Sequence, residues 1–175
     1  MKPEAYRKIY VWFTARPAAL AVLCFFTRQL PLFVGSMYGV LLARLGWGWY
    51  AAARGGACGA EAASFWQAAA VPAVTLLVGS LLRRWIDAPR PYDDPAFTPL
   101  VEKETTGKSL PSRHALSAAV ITVVWWRYSM PVGVLMAVIT AAVCATRVLA
   151  GVHSVRDVTA GAVLGFACGM LFFLR

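Results

Sequence analysis

Both histidines of the chain stand in short polar blocks of an otherwise apolar sequence. His114 follows Pro111 and Ser112 in one block, and His153 precedes Asp157 by four residues in another. If a helix begins near His153, this spacing puts the imidazole and the carboxylate on one helix face. A carboxylate bonded to one imidazole nitrogen fixes the tautomer and leaves the other nitrogen to attack an electrophile. Because the ordinary pKa of histidine lies near neutrality, the pattern predicts nucleophilic and acid–base chemistry.

Arginines accompany the histidines in the same blocks. The blocks are residues 83–91, 111–114 and 146–157. Arg83 and Arg90 belong to the first block, and Arg147 lies near the start of the third. A guanidinium group binds a phosphomonoester through paired, charge-assisted hydrogen bonds. Ser112 can add a hydroxyl donor, and backbone N–H groups at the start of the helix that follows can add more. Attraction to lipid headgroups would explain one arginine at a helix end, but not three at these spacings beside two histidines. The blocks therefore predict a site that holds and transfers a phosphoryl group.

The spacing of the blocks resembles that of the type 2 phosphatidic acid phosphatase superfamily, which also includes the vanadium haloperoxidases. The pattern of that family is Lys-x(6)-Arg-Pro, then Pro-Ser-Gly-His, then Ser-Arg-x(5)-His-x(3)-Asp. In this chain Arg83 stands at the Lys position, Arg113 at the Gly position and Thr146 at the Ser position, and the other positions match. The resemblance covers roughly the second half of the chain, and the residues before Gly79 add only hydrophobic segments.

The resemblance implies a mechanism as well as a fold. His153 would attack phosphorus and form a phosphohistidine, with Asp157 orienting the ring, and His114 would protonate the leaving oxygen and later activate water. Two histidines and one aspartate could in principle form a metal site, but the resemblance argues for a metal-free reaction in which arginines supply the positive charge. We therefore expect no cofactor and a lipid phosphate or pyrophosphate as substrate. The classes implied are phosphatidic acid, phosphatidylglycerol phosphate and polyprenyl pyrophosphate.

Arg113 is the largest departure from the family pattern. Standing in place of glycine beside His114, it removes backbone freedom and adds a bulky charge. It could bind a second phosphate, which would favour pyrophosphate substrates, or it could point to water or headgroups, and the sequence leaves both open. The other two departures are milder, because Arg83 keeps the cation of lysine and Thr146 keeps the hydroxyl group of serine.

Two other functions compete with hydrolysis. A non-catalytic lipid-phosphate transporter or binding protein could retain the arginines, but it would need no nucleophile, and both histidines and Asp157 are intact. A vanadate-dependent haloperoxidase would share the motif, but the peroxidases that the blocks resemble are soluble, whereas this chain has hydrophobic helices. We therefore expect an enzyme, a lipid phosphatase of the membrane.

The composition indicates an integral membrane protein. Of the 175 residues, 59% are hydrophobic and 14% are charged, and the mean hydropathy is +0.62. A soluble domain of this length would carry more charge, whereas long apolar runs suit spanning helices. The net charge of +9 comes largely from arginines in the blocks and beside apolar runs, where they can meet headgroups. It is not gathered into a basic stripe, so we expect no nucleic-acid partner.

The apolar runs predict a single all-α domain, residues 1–175, built as a membrane bundle of about six helices. The first run, residues 5–27, contains Arg16 and Pro17, so it predicts either an interfacial or broken helix or a full span. The other predicted helices are 32–51, 64–82, 112–128, 132–148 and 155–174. Residues 83–110 are polar and rich in proline, which predicts the long functional loop. Its acidic side chains are expected to form a solvated face: Asp87, Asp93, Asp94, Glu102 and Glu104.

The order of these elements places the blocks together. Two spans separate the loop 83–111 from the loop 147–157, so both loops should emerge at one membrane face and form the site there. On the last helix, Gly161, Gly165 and Gly169 share a face suited to close helix packing, and packing within the chain is favoured over dimerisation.

The resemblance also bears on location and partners. Together with the small size, it favours a bacterial plasma or inner membrane protein whose site faces away from the cytoplasm. We expect membrane lipids and a lipid-phosphate substrate as partners, and the sequence leaves the oligomeric state open.

Overall fold

The described part of the protein forms six α-helices and one short 3₁₀ helix. A computed structural model describes residues 3–55, 59–101 and 106–171, and these ranges contain no β-strand. The all-α membrane bundle predicted from the sequence is confirmed. In chain order the elements are α1 (Pro3–Thr14), α2 (Pro17–Arg54), α3 (Gly59–Ile86), the 3₁₀ helix (Pro91–Asp93), α4 (Arg113–Tyr128), α5 (Met130–Leu149) and α6 (Val155–Met170).

The outer surface of the bundle is apolar. Three helices, α2, α3 and α5, are each long and apolar enough to cross a membrane. α4 fills the centre, with ten of its sixteen residues buried. Exposed apolar area on this scale marks a surface that is covered in its native setting, here by lipid. Exposed side chains on the three helices include Phe25, Leu32, Val40, Leu77 and Val138.

Residues 5–27 do not form one helix. α1 ends at Thr14, and α2 begins at Pro17, whose fixed φ and missing N–H suit the first turn of a helix. The second part of the predicted segment joins residues 32–51 in one continuous helix of 38 residues. The structure thus selects the broken helix from the two alternatives and removes the predicted break before residue 32.

α6 packs along α4 through its glycine face. A Cβ on Gly161 would lie 2.6 Å from the carbonyl oxygen of Ser112, and one on Gly165 would lie 2.5 Å from that of Leu116. No larger side chain fits at this separation, because the obstructing atoms are backbone. Gly169 continues the same face. The glycines therefore pack within the chain, as predicted. Glycines further along α6 contact residues further along α4, so the two helices run parallel.

α3 and α5 run antiparallel to α4. The hydroxyl of Tyr128, at the end of α4, donates to the carbonyl of Ser64 near the start of α3 at 3.0 Å. Ser129 alone joins α4 to α5, and the hydroxyl groups of Thr122 and Thr140 pair across these two helices at 2.9 Å. Consequently α3 and α5 end where α4 and α6 begin. We call this the polar end of the bundle, and it carries Arg83, Ser112, Arg147 and His153.

Tyr6 attaches α1 to the polar end. Its side chain is 2% exposed, and its ring stacks on Phe97 with 4.4 Å between centroids. Its hydroxyl donates to the carbonyl of Leu149, the last residue of α5, at 2.9 Å and accepts from the N–H of Leu100 at 3.3 Å. A Cβ on Gly151 would lie 2.6 Å from the same hydroxyl. α1 therefore lies against the turn between α5 and α6.

Two prolines interrupt the backbone bonding of long helices, Pro31 in α2 and Pro72 in α3. Each lacks an N–H, so the carbonyl four residues earlier loses its partner within the helix. Inside a membrane such a group needs a donor from elsewhere. In both helices a side chain from another helix supplies it. The bonds are Arg147 Nη2 to the Thr27 oxygen at 3.1 Å and Tyr38 Oη to the Ala68 oxygen at 3.0 Å.

Candidate active site

Arg83 joins α3 to the segment that leads into α4. It lies in the last turn of α3 and is 7% exposed, so the predicted loop 83–110 begins about one turn later than expected. Its Nη1 donates to the carbonyl oxygens of Pro111 at 2.8 Å and Ser109 at 3.4 Å. These bonds use one nitrogen of the guanidinium group and hold the cation beside the start of α4.

A buried serine lies between His153 and Asp157. The Oγ of Ser109 donates to Oδ2 of Asp157 at 2.6 Å and is 3.3 Å from Nδ1 of His153. Nδ1 and Oδ2 themselves are 3.7 Å apart, which is beyond ordinary hydrogen-bond length. Instead of the direct bond expected from the spacing, the two groups meet through Ser109, a residue that the sequence analysis missed.

The start of α6 explains this displacement. Ser154 is the N-cap, so His153 precedes the helix and does not share a helical face with Asp157. Asp157 is the third residue of α6, and its Oδ2 accepts from the N–H of Ser154 at 2.8 Å. The Oγ of Ser154 accepts in return from the N–H of Asp157 at 3.3 Å. This reciprocal pair is a capping box, and its Ser-x-x-Asp spacing is the sequence signal that could have located the helix start.

The surroundings of His153 favour the neutral form of its ring. Burial lowers the pKa of His153 below its ordinary value, Asp157 raises it in part, and the charges of Arg90 and Arg83 lower it further. A neutral ring carries one protonated and one unprotonated nitrogen. Since Nδ1 lies toward Ser109, Nε2 is the nitrogen left to meet an electrophile.

Arg90 is fixed by the loop that follows α3. Its Nε donates to the carbonyl of Gly107 at 2.9 Å, and its Nη1 donates to the hydroxyl of Tyr92 at 2.8 Å. The backbone N–H groups of Arg90 and Gly107 both donate to Oδ2 of Asp93, at 2.7 and 3.0 Å. Gly107 has a φ of +62°, a conformation that favours glycine. The loop thus fixes both the backbone and the guanidinium group of Arg90, which is one of the predicted phosphate-binding residues.

The acidic residues of this loop shape it. Asp93 is only partly exposed, and its carboxylate accepts hydrogen bonds from two backbone N–H groups. The prediction that it belongs to a solvated face is therefore wrong for this residue. Asp87 and Asp94 are exposed, as expected, and they also accept backbone N–H groups at 3.2 and 2.9 Å. The two remaining acidic positions lie outside the described residues: Glu102 and Glu104.

The start of α4 carries three predicted site residues. The N–H of Ser112 donates to the backbone carbonyl of Asp157 at 3.0 Å, which ties α4 to α6. The Oγ of Ser112 is buried and has no hydrogen-bond partner among the described residues. Arg113 is exposed and near enough for its charge to act on Arg83, and His114 follows it, partly buried. Residues of all three predicted blocks therefore gather at the polar end.

The side chain of Arg147 contacts α2. It lies in the last turn of α5, is 4% exposed, and donates through Nη2 to Thr27 of α2. Its Nε is buried and lacks a hydrogen-bond partner within the described part of the chain. Its backbone carbonyl accepts from the N–H groups of Val152 at 3.2 Å and His153 at 3.3 Å. Arg147 thus positions His153 through the backbone while its guanidinium group reaches α2.

A cavity of about 680 Å³ opens beside these residues. Its lining includes two arginines, Arg90 and Arg156, and three aspartates, Asp93, Asp94 and Asp157. The remaining lining residues are mostly apolar, so the cavity combines apolar and charged groups, as ligand cavities commonly do. Within the described ranges, no group of three His, Cys, Asp or Glu residues is placed to bind a metal ion.

Comparisons with known proteins give a family match and two similar folds. Residues 64–175 match the PAP2 superfamily. The structure of LpxE from Aquifex aeolicus is similar, with a TM-score of 0.69, 20% identity, and 98% of this chain and 94% of that chain covered. A PAP2-type phosphatidylglycerolphosphate phosphatase from Bacillus subtilis gives a TM-score of 0.55 at 21% identity over 96% and 90% of the two chains. No match was found among curated proteins.

Proposed function

The chain belongs to the PAP2 superfamily, and we propose that it is a membrane lipid phosphatase that works without a metal ion, through a phosphohistidine formed on His153. The observation that supports this most is the buried group of Ser109, His153 and Asp157, which turns the Nδ1 side of a neutral ring toward the carboxylate. Nε2 then has a lone pair for phosphorus. A transporter that only binds lipid phosphate would have no use for this arrangement.

In the first step, Nε2 of His153 attacks phosphorus, and the bond between phosphorus and the lipid oxygen breaks. His114 gives its proton to that oxygen, so the lipid leaves as an alcohol, or as a monophosphate when the substrate is a pyrophosphate. The ring of His153 gains a positive charge in the adduct, and Asp157 stabilises this charge through Ser109.

In the second step, water displaces His153. His114, now neutral, takes a proton from the water as its oxygen attacks phosphorus. The N–P bond breaks, inorganic phosphate leaves, and both histidines regain their starting protonation states.

Cations and N–H groups of the polar end stabilise the oxygens of the transferred group. Arg83 and Arg90 lie close enough to act on the charge of His153, and charge-assisted bonds from such groups favour the transition state. The Ser112 hydroxyl and the Nε of Arg147, both buried, lack partners among the described residues. Since buried donors are normally paired, both suit a phosphoryl oxygen. Arg113, at the exposed edge, suits a second phosphate.

The substrate would keep its hydrocarbon chain in the bilayer while its headgroup enters the cavity beside Asp157. Phosphatidic acid, phosphatidylglycerol phosphate and polyprenyl pyrophosphate are the candidates, and one structural neighbour is named for phosphatidylglycerolphosphate. We place the protein in a bacterial plasma membrane with its site on the extracytoplasmic face.

Phosphate release tests this proposal. Purified protein in detergent should release phosphate from this panel of lipids in the presence of EDTA. A rapidly quenched reaction with radiolabelled substrate should leave label on the protein that is stable in base and lost in acid, as an N–P bond requires. Activity that EDTA abolishes and magnesium restores would contradict the metal-free reaction. Binding without release would favour the transporter.

Substituting Arg83 and, as a matched control, Arg84 tests whether cations at the site stabilise the transition state. They are adjacent and equally charged, but Arg83 is buried at the site and Arg84 is exposed. Arg83→Ala should lower kcat/KM by about 10²- to 10³-fold, as loss of one transition-state donor does, and Arg84→Ala should change it by less than about twofold. Equal losses would assign the effect to general surface charge.

A further inference from the structure

Ser109 is firmly fixed in the polar end. Its side chain is 0% exposed. Its N–H donates to the carbonyl of Ala88 at 2.8 Å, and its own carbonyl accepts from Arg83. The backbone is thereby held on both sides, and the hydroxyl contacts Asp157 and His153. It lies outside the three motif blocks, and in the proposed mechanism it only carries the effect of Asp157 to the charged ring.

The two distances assign the proton of this hydroxyl. A carboxylate can only accept, and 2.6 Å to Asp157 is the length of a charge-assisted O–H···O⁻ bond. The proton of Ser109 therefore points to Oδ2, and a lone pair of Oγ faces Nδ1 of His153 at 3.3 Å. Nδ1 must then carry a proton, which leaves Nε2 unprotonated.

Asp157 does not select this tautomer by direct contact. Its Oδ2 is 3.7 Å from Nδ1, and the same oxygen accepts from the N–H of Ser154 in the capping box. Moving the carboxylate toward the ring would weaken its bond to the N–H of Ser154, one of the two bonds of the capping box. The hydroxyl of Ser109 bridges a gap that the capping of α6 maintains.

We propose that Ser109 is a positioning residue that selects the reactive tautomer of His153, an inference that rests on His153 being the nucleophile. Its hydroxyl accepts from Nδ1–H and donates to Asp157, so the carboxylate acts on the ring through it. When Nε2 bonds to phosphorus, the ring becomes positively charged and keeps its Nδ1 proton, and the proton of Ser109 stays on Oγ. Without the hydroxyl, the tautomer protonated at Nε2, which cannot attack, competes.

Nitrogen-15 NMR of histidine-labelled protein reads the tautomer directly, and the chain has only two histidines. Spectra of wild type and Ser109→Ala are compared, and a His114→Gln spectrum assigns the two rings. We expect His153 of wild type to be protonated at Nδ1 alone and that of Ser109→Ala to be a mixture. A purely structural role would leave the tautomer unchanged, so an unaltered ring in Ser109→Ala would overturn the proposal.

Kinetics supply a second readout. By analogy with the hydrogen-bond partners of metal-binding histidines, whose removal costs about 10- to 100-fold, Ser109→Ala should lower kcat by a similar factor, with KM changed little. Ser109→Cys keeps the shape but bonds weakly, so it should resemble alanine. Thr122→Val is the matched control, because it removes a buried hydroxyl bonded to Thr140 at 2.9 Å, far from the polar end. It should lower stability and leave kcat unchanged.

The outcomes separate this inference from the mechanism on which it rests. A kcat within about threefold of wild type in Ser109→Ala, where the hydrogen bond predicts at least tenfold, would refute the positioning role. An active His153→Ala would instead refute the phosphohistidine mechanism, and the tautomer spectra would still report whether Ser109 orients the ring.

Discussion

Replacing Pro31 with alanine should uncouple Arg147 from α2. Alanine restores an N–H four residues after Thr27, so the Thr27 carbonyl can accept within its own helix. The hydrogen bond from Arg147 Nη2 at 3.1 Å is then no longer required. Proline inside a helix costs up to about 3 kcal/mol relative to alanine, but Arg147 already offsets part of this. Alanine also frees the unfolded chain, which costs up to about 1 kcal/mol, so we expect Pro31→Ala to stabilise the protein by a net of about 1 kcal/mol.

A second substitution measures the coupling. Arg147→Met in the natural chain leaves the buried Thr27 carbonyl without this donor, which costs about 1–3 kcal/mol. In the Pro31→Ala background the helix supplies the donor, so the same substitution should cost about 1–2 kcal/mol less. At roughly 2–4 °C per kcal/mol for a chain of this size, the coupling amounts to about 2–8 °C in melting temperature.

Thermal unfolding of the four proteins in one detergent measures this difference. Pro72→Ala with Tyr38→Phe is the matched cycle, since Tyr38 donates to Ala68 in the same way. The crossed pair, Pro31→Ala with Tyr38→Phe, joins unrelated carbonyls and should be additive. Additivity of Pro31→Ala and Arg147→Met within about 0.5 kcal/mol would refute the argument that Arg147 replaces the missing helix bond.

Other perturbations test the site itself. His153→Ala should reduce phosphate release by at least about 10³-fold with an unchanged melting curve, and a variant that keeps a tenth of the activity would exclude His153 as nucleophile. Vanadate should inhibit in EDTA, because it mimics five-coordinate phosphorus; insensitivity would contradict the proposed transition state. Because burial lowers the pKa of His153, NMR titration should show its ring protonating below the ordinary value of about 6.5, and a midpoint above that value would contradict the burial argument. Arg113→Gly should raise KM about tenfold for a polyprenyl pyrophosphate, because it removes one charge-assisted hydrogen bond to the second phosphate, and less for the monophosphate; equal small effects would assign Arg113 to solvent.

Apolar runs were sufficient to predict the helices but not how they join. Pro17 after Arg16 is a local signal of a helix start, and the sequence left a broken helix there as one of two alternatives. Pro31 is an equally strong local signal, yet α2 runs through it. The donor that makes this possible, Arg147, is 120 residues from the Thr27 carbonyl that it satisfies. Only the packed bundle brings the two together.

Motif spacing predicted where the polar groups gather but not which atoms meet. The four-residue step from His153 to Asp157 suggests a shared helix face, but the helix begins after His153, at the cap formed by Ser154. Ser109 reaches the pair from another loop. The path of that loop depends on backbone bonds accepted by Asp93, which no periodic pattern records.

Five helices, α2 to α6, run through the bundle in alternating directions. Tyr6 holds α1 at the polar end, whereas α6 starts at the polar end and leads away from it. Because an odd number of alternating helices separates them, the two ends of the described chain lie at opposite ends of the bundle. A compartment-sensitive reporter fused beyond α6 should therefore be active on the side away from the site. Its signal gives the sidedness of catalysis without altering any residue of the site.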